Sequence, residues 1–143
     1  MSARLVPELC VRDIEASLAL YTGVFGFAVL YARDGFAKLS LEGAEVMLER
    51  LTETSWLLDA PDAPLGRGLN LEIAVSALAP ILSRADAVGR VPFLAPEAVY
   101  YRTGEHYVGQ RQAIFADLDG YLLRFAEPLG ETATPPSGTR VVS

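Results

Sequence analysis

The side chains able to do chemistry in this sequence are few. One histidine, His106, and one cysteine, Cys10, stand among 143 residues, so no His/Cys-rich metal site can form within a single chain. His106 sits in the polar stretch Thr103-Gly104-Glu105-His106-Tyr107. A solvated imidazole is the plainer reading there, and no serine or cysteine motif offers it a nucleophile to serve. Cys10 is either a reactive thiol, if a cation lowers its pKa, or a small buried apolar residue, the commoner fate. The aromatic candidates are Trp56 in an irregular stretch, the pair Tyr100-Tyr101, and Phe36 just after a turn. A flat ring can stack on a planar cationic ligand. Trp56 could equally staple a loop to the body, and ordinary sheet packing explains at least one of the tyrosines. Gly66-Arg67-Gly68 has the look of a phosphate loop but leads into a strand, so no helix N-terminus faces an anion there. Its glycines instead allow a sharp entry into that strand, with Arg67 at the mouth.

Positioning falls to a short list of elements. Leu5–Val11 reads as a strand in which Pro7 marks an edge or exchanged position. Asp13 caps a helix whose apolar residues Ile14, Leu18, Tyr21 and Phe25 recur at helical spacing, with Gly26 as its C-cap. Phe27–Tyr31, Phe36–Leu41 and Glu45–Arg50 then read as strands joined by tight turns at Asp34-Gly35 and Glu42-Gly43. Residues 51–67, with Pro61, Pro64 and Gly66, read as a linker. Gly68–Val75 resumes as a strand, Ser76 caps a second helix, and Pro80 falls in its tolerant first turn. Strand-like pieces follow at Val91–Leu94, Val99–Tyr101, Gln112–Asp117 and Tyr121–Ala126, and residues 128–143 read as a mobile tail.

Strand, helix, three strands therefore occurs twice. Leu9-Cys10-Val11 before the first helix matches Ile73-Ala74-Val75 before the second, and Leu41-Glu42-Gly43 matches Leu118-Asp119-Gly120. The second interval is longer, and its extra length falls at 89–111, where an inserted loop is expected. The fold class is α+β: two βαβββ modules, at about 4–50 and 68–127, in one domain over 1–127. Each module alone buries too little surface, so the two should pack together within one chain or between two.

Charge narrows the partners. The net charge is −6, and the basic residues are arginines except for Lys38. No basic cluster supplies the footprint that nucleic-acid binding needs. No apolar run is long enough to span a bilayer, and no signal-type segment follows the N-terminus. The lone cysteine favours a reducing, cytoplasmic location. An acidic surface attracts cationic ligands, although net charge often serves solubility alone.

Several ordered strings carry a family resemblance: Val6-Pro7-Glu8-Leu9, Ser17-Leu18-Ala19-Leu20-Tyr21, Phe25-Gly26-Phe27, Gly66-Arg67-Gly68-Leu69-Asn70 and Asp119-Gly120-Tyr121-Leu122-Leu123-Arg124-Phe125. Together they resemble the vicinal oxygen chelate superfamily, the glyoxalase/bleomycin-resistance/dioxygenase group, and most of all its bleomycin-resistance-type branch. One departure is Asp117-Leu118-Asp119-Gly120, where the family commonly has Asp-Pro-Asp-Gly. In the metal-dependent enzymes of the group, strand positions inside a cupped sheet supply His, Glu or Gln ligands. Carried over, these positions fall on Val6, Leu48, Asn70 and Arg124. Two of those lack a donor atom and Arg124 is a fixed cation, so no metal or other cofactor is expected. A one-residue shift offers Glu49 or Glu8, but alternation would turn such a residue to the other face. By the same alternation Glu8, Val46, Arg50, Glu72 and Leu122 should face the cup, with Leu9, Val11, Met47, Leu71, Ile73, Val75, Leu123 and Phe125 in the core. Arg124 is then expected to pair with Glu72 or Glu8.

The resemblance implies a cofactor-free protein that sequesters a cationic, partly aromatic antibiotic of the bleomycin type in grooves between the subunits of a homodimer, with possible N-terminal strand exchange. The candidate ligand-binding residues are Trp56, Phe36, Tyr100, Tyr101, Arg67, Asn70, Glu72, Arg124 and Glu8, and no catalytic residue is assigned. The alternative is an enzyme of the superfamily, with relocated metal ligands or metal-free with Glu8, Glu72 or Tyr101 as acid/base.

Overall fold

The computed structural model of the chain describes residues 2–59 and 61–143. Strand β1 (Glu8–Val11) leads into helix α1 (Ile14–Gly23), and the Asp13 side chain caps it by accepting from the Ala16 N–H at 3.0 Å. Three strands follow: β2 (Ala28–Arg33), β3 (Phe36–Leu41) and β4 (Ala44–Arg50). The turns between them use Gly35 at φ +72° and Glu42-Gly43 at φ +48° and +92°, the left-handed geometry of two-residue hairpins. The second module repeats the order with β5 (Asn70–Ala74), α2 (Ala79–Ala87), β6 (Leu94–Thr103), β7 (His106–Ala116) and β8 (Leu122–Thr132), then adds β9 (Arg140–Val142).

Each module makes its own sheet, ordered β1-β4-β3-β2 in the first and β5-β8-β7-β6-β9 in the second. In both, the strand before the helix runs parallel to the last strand of the module, and the other pairings are antiparallel except that of β9 with β6. The internal repeat read from the sequence is thus a repeat of topology, and the chain is α+β with two mixed sheets. One core serves both modules. Phe25, fully buried just past the end of α1, meets Phe115 and Phe125 of the second sheet at ring-centroid distances of 5.9 and 5.2 Å. On its other side it meets Tyr21 edge-to-face at 5.4 Å. The Arg84 Nε of α2 donates to the carbonyl of Val24 at 2.9 Å, tying the second helix to the end of the first.

Four local expectations change. The second helix starts later than expected: Leu78 is its N-cap, with no side-chain cap, while the Ser76 N–H donates to the Glu42 carboxylate at 3.0 Å. The first helix closes at Val24, and Gly26, at φ +88°, lies beyond it in the turn to β2. The stretch at 89–111 is largely a long hairpin and not a loop, because Gly104 at φ +70° lets β6 turn directly into β7. The segment expected to be a mobile tail is built into the second sheet. β8 runs on to Thr132, and β9 pairs parallel with β6 through Val99, Tyr100 and Tyr101. A bidentate ion pair anchors β9, with Arg140 Nη2 at 2.6 Å and Nε at 3.1 Å from the two Glu97 oxygens.

Candidate functional site

Alternation sorts the strand residues onto two faces, and β1 sets the phase of β4. Leu9 and Val11 are buried in the core, and β1 pairs with β4 so that Leu9 lies opposite Leu48 and Cys10 opposite Glu49. Leu48 and Val46 are therefore core residues, fully buried or nearly so, and Met47 and Glu49 lie on the outer face with Glu8 and Cys10. This corrects the expectation that Leu48 and Val46 face outward and Met47 inward. The signal was in the sequence, since Glu45 and Glu49 bracket Val46 and Leu48 at alternate positions.

The outer face of the first sheet carries a carboxylate pair. Burial, then a hydrogen bond and the like charge of Glu49, raise the pKa of Glu8, while Arg33 opposes the rise. Two clefts open on this pair. One, of about 270 Å³, is walled by Arg33, Phe36 and Arg50; the other, of about 340 Å³, by Thr54 and Trp56. Phe36 lies opposite Glu49 in the β3–β4 ladder, stacks on Tyr31 at 6.0 Å and lies 3.8 Å beneath the Arg33 guanidinium carbon. Trp56 is 97% exposed, so it does not staple the linker to the body. Burial pushes the Cys10 thiol up from its ordinary pKa, which makes it a poor nucleophile.

The outer face of the second sheet carries a hydrogen-bonded chain. Gln110 Nε2 donates to Glu72 Oε1 and to Gln112 Oε1, both at 2.7 Å. Gln112 in turn exchanges hydrogen bonds with the Tyr101 hydroxyl at 3.0–3.2 Å. Arg124 stands opposite Glu72 in the β5–β8 ladder, with Nη1 3.5 Å from the Tyr101 hydroxyl and Nη2 3.8 Å from Glu72 Oε1. The expected Arg124–Glu72 pairing is present but loose. Asn70, Tyr101, Gln112 and Arg124 line a cleft of about 270 Å³, to which β9 contributes Arg140. Tyr100 points to the opposite face, where Gly109 makes room for its ring: a Cβ there would overlap it. Arg67 pairs with Asp62 at 3.2 Å in the linker and lines neither cleft. His106 is exposed at the tip of the β6–β7 hairpin.

Of the residues named from the sequence, the structure thus gathers Glu8 and Phe36 on one sheet, with Trp56 of the linker lining a cleft beside Glu8, and Asn70, Glu72, Tyr101 and Arg124 on the other. It leaves Tyr100 and Arg67 apart. Sequence reasoning set Glu49 aside on alternation and missed Gln110, Gln112 and Arg140. Gln110 lay in what read as a loop, Gln112 at the start of a strand-like piece whose faces were not assigned, and Arg140 in what read as a tail.

As a metal centre the arrangement fits only in part. Glu8 and Glu49 offer donor oxygens, but the corresponding place on the second sheet holds an arginine, a fixed cation, beside an asparagine amide. Among the described residues no three His, Cys, Asp or Glu side chains converge in a way that could hold a metal ion, and no helix is long and apolar enough to cross a membrane.

Solved structures share this architecture of two βαβββ modules with mixed sheets. TioX from Micromonospora sp. ML1 superposes with TM-score 0.67 at 22% identity, covering 90% of this chain and all of that one. A bleomycin-binding protein complexed with bleomycin superposes with TM-score 0.59 at 21% identity, covering 88% of this chain and 98% of the other. In sequence, the chain is 31% identical over 72 residues to the bleomycin resistance protein of Geobacillus stearothermophilus, half of this chain and 54% of that protein. The chain thus spans about half the length of the curated relatives it matches. No protein-family model matches it. The sequence match and the shared fold together support the resemblance to bleomycin-resistance-type proteins.

Proposed function

We propose that this chain is a small-molecule binding protein of the bleomycin-resistance type, which sequesters a cationic, partly aromatic ligand without bond making or a cofactor. The observation that carries the reading is a fully exposed Trp56 ring opening on the same cleft as the Glu8–Glu49 carboxylates. A ring face and two carboxylates suit a flat cation. The net charge of −6 adds to the attraction. The 72-residue match to a bleomycin resistance protein points the same way.

The working unit in this proposal is a homodimer, with the ligand held in a groove to which both copies contribute. Strands β1 and β5 are free sheet edges among the described residues. Beside them runs an apolar groove of about 410 Å³, lined by Leu5, Pro7, Leu69 and Leu71 among others. Leu5 is 85% exposed, and an unpaired edge next to such a groove favours association. Exchange of the segment before β1 fits the same groove.

One observation favours an enzyme as the second reading: the carboxylate pair has one pKa raised, a state suited to proton transfer. Calorimetric titration with bleomycin, run beside metal analysis of the purified protein, separates the two. Saturable binding at micromolar drug, weakened at least tenfold by Trp56→Ala, is the expected result. Absence of heat at micromolar drug together with stoichiometric bound metal would favour the enzyme.

A further inference from the structure

Arg124 is the least satisfied charged group on the outer face of the second sheet. Its Nε is shut off from solvent and has no hydrogen-bond partner. Its Nη1 makes one long bond, 3.5 Å to the Tyr101 hydroxyl, and its Nη2 lies 3.8 Å from Glu72, beyond hydrogen-bond reach. Glu72 does not close that gap, because Gln110 holds the same oxygen at 2.7 Å. The tyrosine and the glutamines thus position a guanidinium whose other donors stay open. A partly desolvated arginine with open donors is poorly solvated by its surroundings and strongly favours a planar oxyanion.

The rest of the cleft has the shape for such a guest. Leu94, Ile114 and Leu122 supply an apolar wall beside Arg124, and Asn70 adds an amide. Across the mouth, β9 places Arg140, its guanidinium held in position by the bidentate pair with Glu97. Two positioned guanidinium groups, an amide and an apolar wall in a cleft of about 270 Å³ describe a recognition site for a carboxylate carried on an apolar or aromatic body.

We propose that the cleft over the second sheet is a carboxylate subsite, with the Nη groups of Arg124 as the anchor and Arg140 as the rim. The inference rests on reading the chain as a small-molecule binder and adds that its ligand presents a carboxylate to this cleft. The cationic, aromatic part then falls to the Trp56–Glu8–Glu49 side.

The test uses phenylacetate, with phenylacetamide as its uncharged match, and reads the arginine Nε–H resonances of the full chain by NMR. Phenylacetate should shift the Arg124 resonance saturably at low millimolar concentration, and phenylacetamide should not. Arg124→Gln should weaken phenylacetate binding about tenfold, Arg140→Gln by a smaller factor, and Arg102→Gln, outside the cleft, not at all. Equal responses to acid and amide would overturn the proposal. So would an Arg124 resonance that moves on dilution of the protein but not with phenylacetate, since its partner would then be a carboxylate of a second copy. Bleomycin plays no part in this experiment, so failure of the drug reading leaves the subsite standing, and a drug that binds while phenylacetate does not removes the subsite alone.

Discussion

Glu8 and Glu49 show how much rests on the phase of a single strand. Counted outward from Leu48, Glu49 belongs to the core face. Paired through Leu9 and Leu48 it lies beside Cys10, next to Glu8, whose pKa is raised by burial and then by the hydrogen bond and like charge of Glu49. The folded state therefore holds the Glu8 proton more tightly than the unfolded chain does. The pair opposes folding above the raised pKa of Glu8, and that opposition fades as pH falls through the raised value toward 4.5. Glu49→Gln removes the like charge but not the burial. Glu8 should then titrate closer to the ordinary carboxylate range, though not all the way to it, in a carboxyl-carbon NMR titration. An unchanged Glu8 pKa would show that burial alone sets it. The pair itself was hidden in the sequence because glutamates at the ends of two strands carry no sign that those strands are neighbours.

At the scale of elements, the turn Asp117–Gly120 acts as the bolt between the modules. Asp117 is buried, and its Oδ1 accepts from the N–H groups of Asp119 and Tyr121, both at 2.9 Å. Its Oδ2 accepts from the Tyr21 hydroxyl of α1 at 2.6 Å. Asp119 reaches back to Arg12, whose Nε lies 2.8 Å from its carboxylate. The side chain of Asp117 thus ties together a turn whose second residue is Leu118 and not a proline. Gly66 packs its Cα against the backbone of Gly120 and Tyr121, where a Cβ would come within 2.5 Å of main-chain atoms. The glycines of Gly66-Arg67-Gly68 therefore serve close approach at one position and a φ of +80° at the other. Asp117→Ala strands the Tyr21 hydroxyl and two backbone N–H groups, and should lower the unfolding free energy by about 3 kcal/mol in urea titrations. A loss below about 1 kcal/mol would mean that the turn holds without it. The helices and the short hairpins were legible because apolar spacing, caps and Gly-containing turns are local signals. The β6–β7 hairpin was not, since Arg102, Glu105 and His106 at its tip read as loop polarity.

For the molecule as a whole, the unpaired β1 and β5 edges and the apolar groove beside them bear on assembly. If a second copy covers that groove, the chain should sediment as a dimer. Leu5→Asp combined with Leu69→Asp would bring charge into the contact and raise the dimer dissociation constant at least tenfold, with the circular dichroism spectrum retained. Sedimentation of the unmodified chain as a monomer at micromolar concentration would count against the homodimer, and with it against a groove shared between copies.

Local and periodic information sufficed for the two βαβββ modules, the Asp13 cap, the hairpin turns and the burial of Phe25, Ile73, Leu123 and Phe125. Periodicity within a strand reports which residues share a face, but not which face looks inward, and it is silent on which strands are neighbours. Only the tertiary structure decided that Glu49 lies beside Glu8, that Arg124 stands beside Tyr101 with open donors, and that Arg140 closes a cleft from the last strand. Those outcomes depend on pairing between strands far apart in the chain, β1 with β4 and β6 with β9. The opening count of a single histidine and a single cysteine excluded one kind of metal site. What the outer faces hold in its place, a carboxylate pair on one sheet and a positioned guanidinium on the other, is a property of the register.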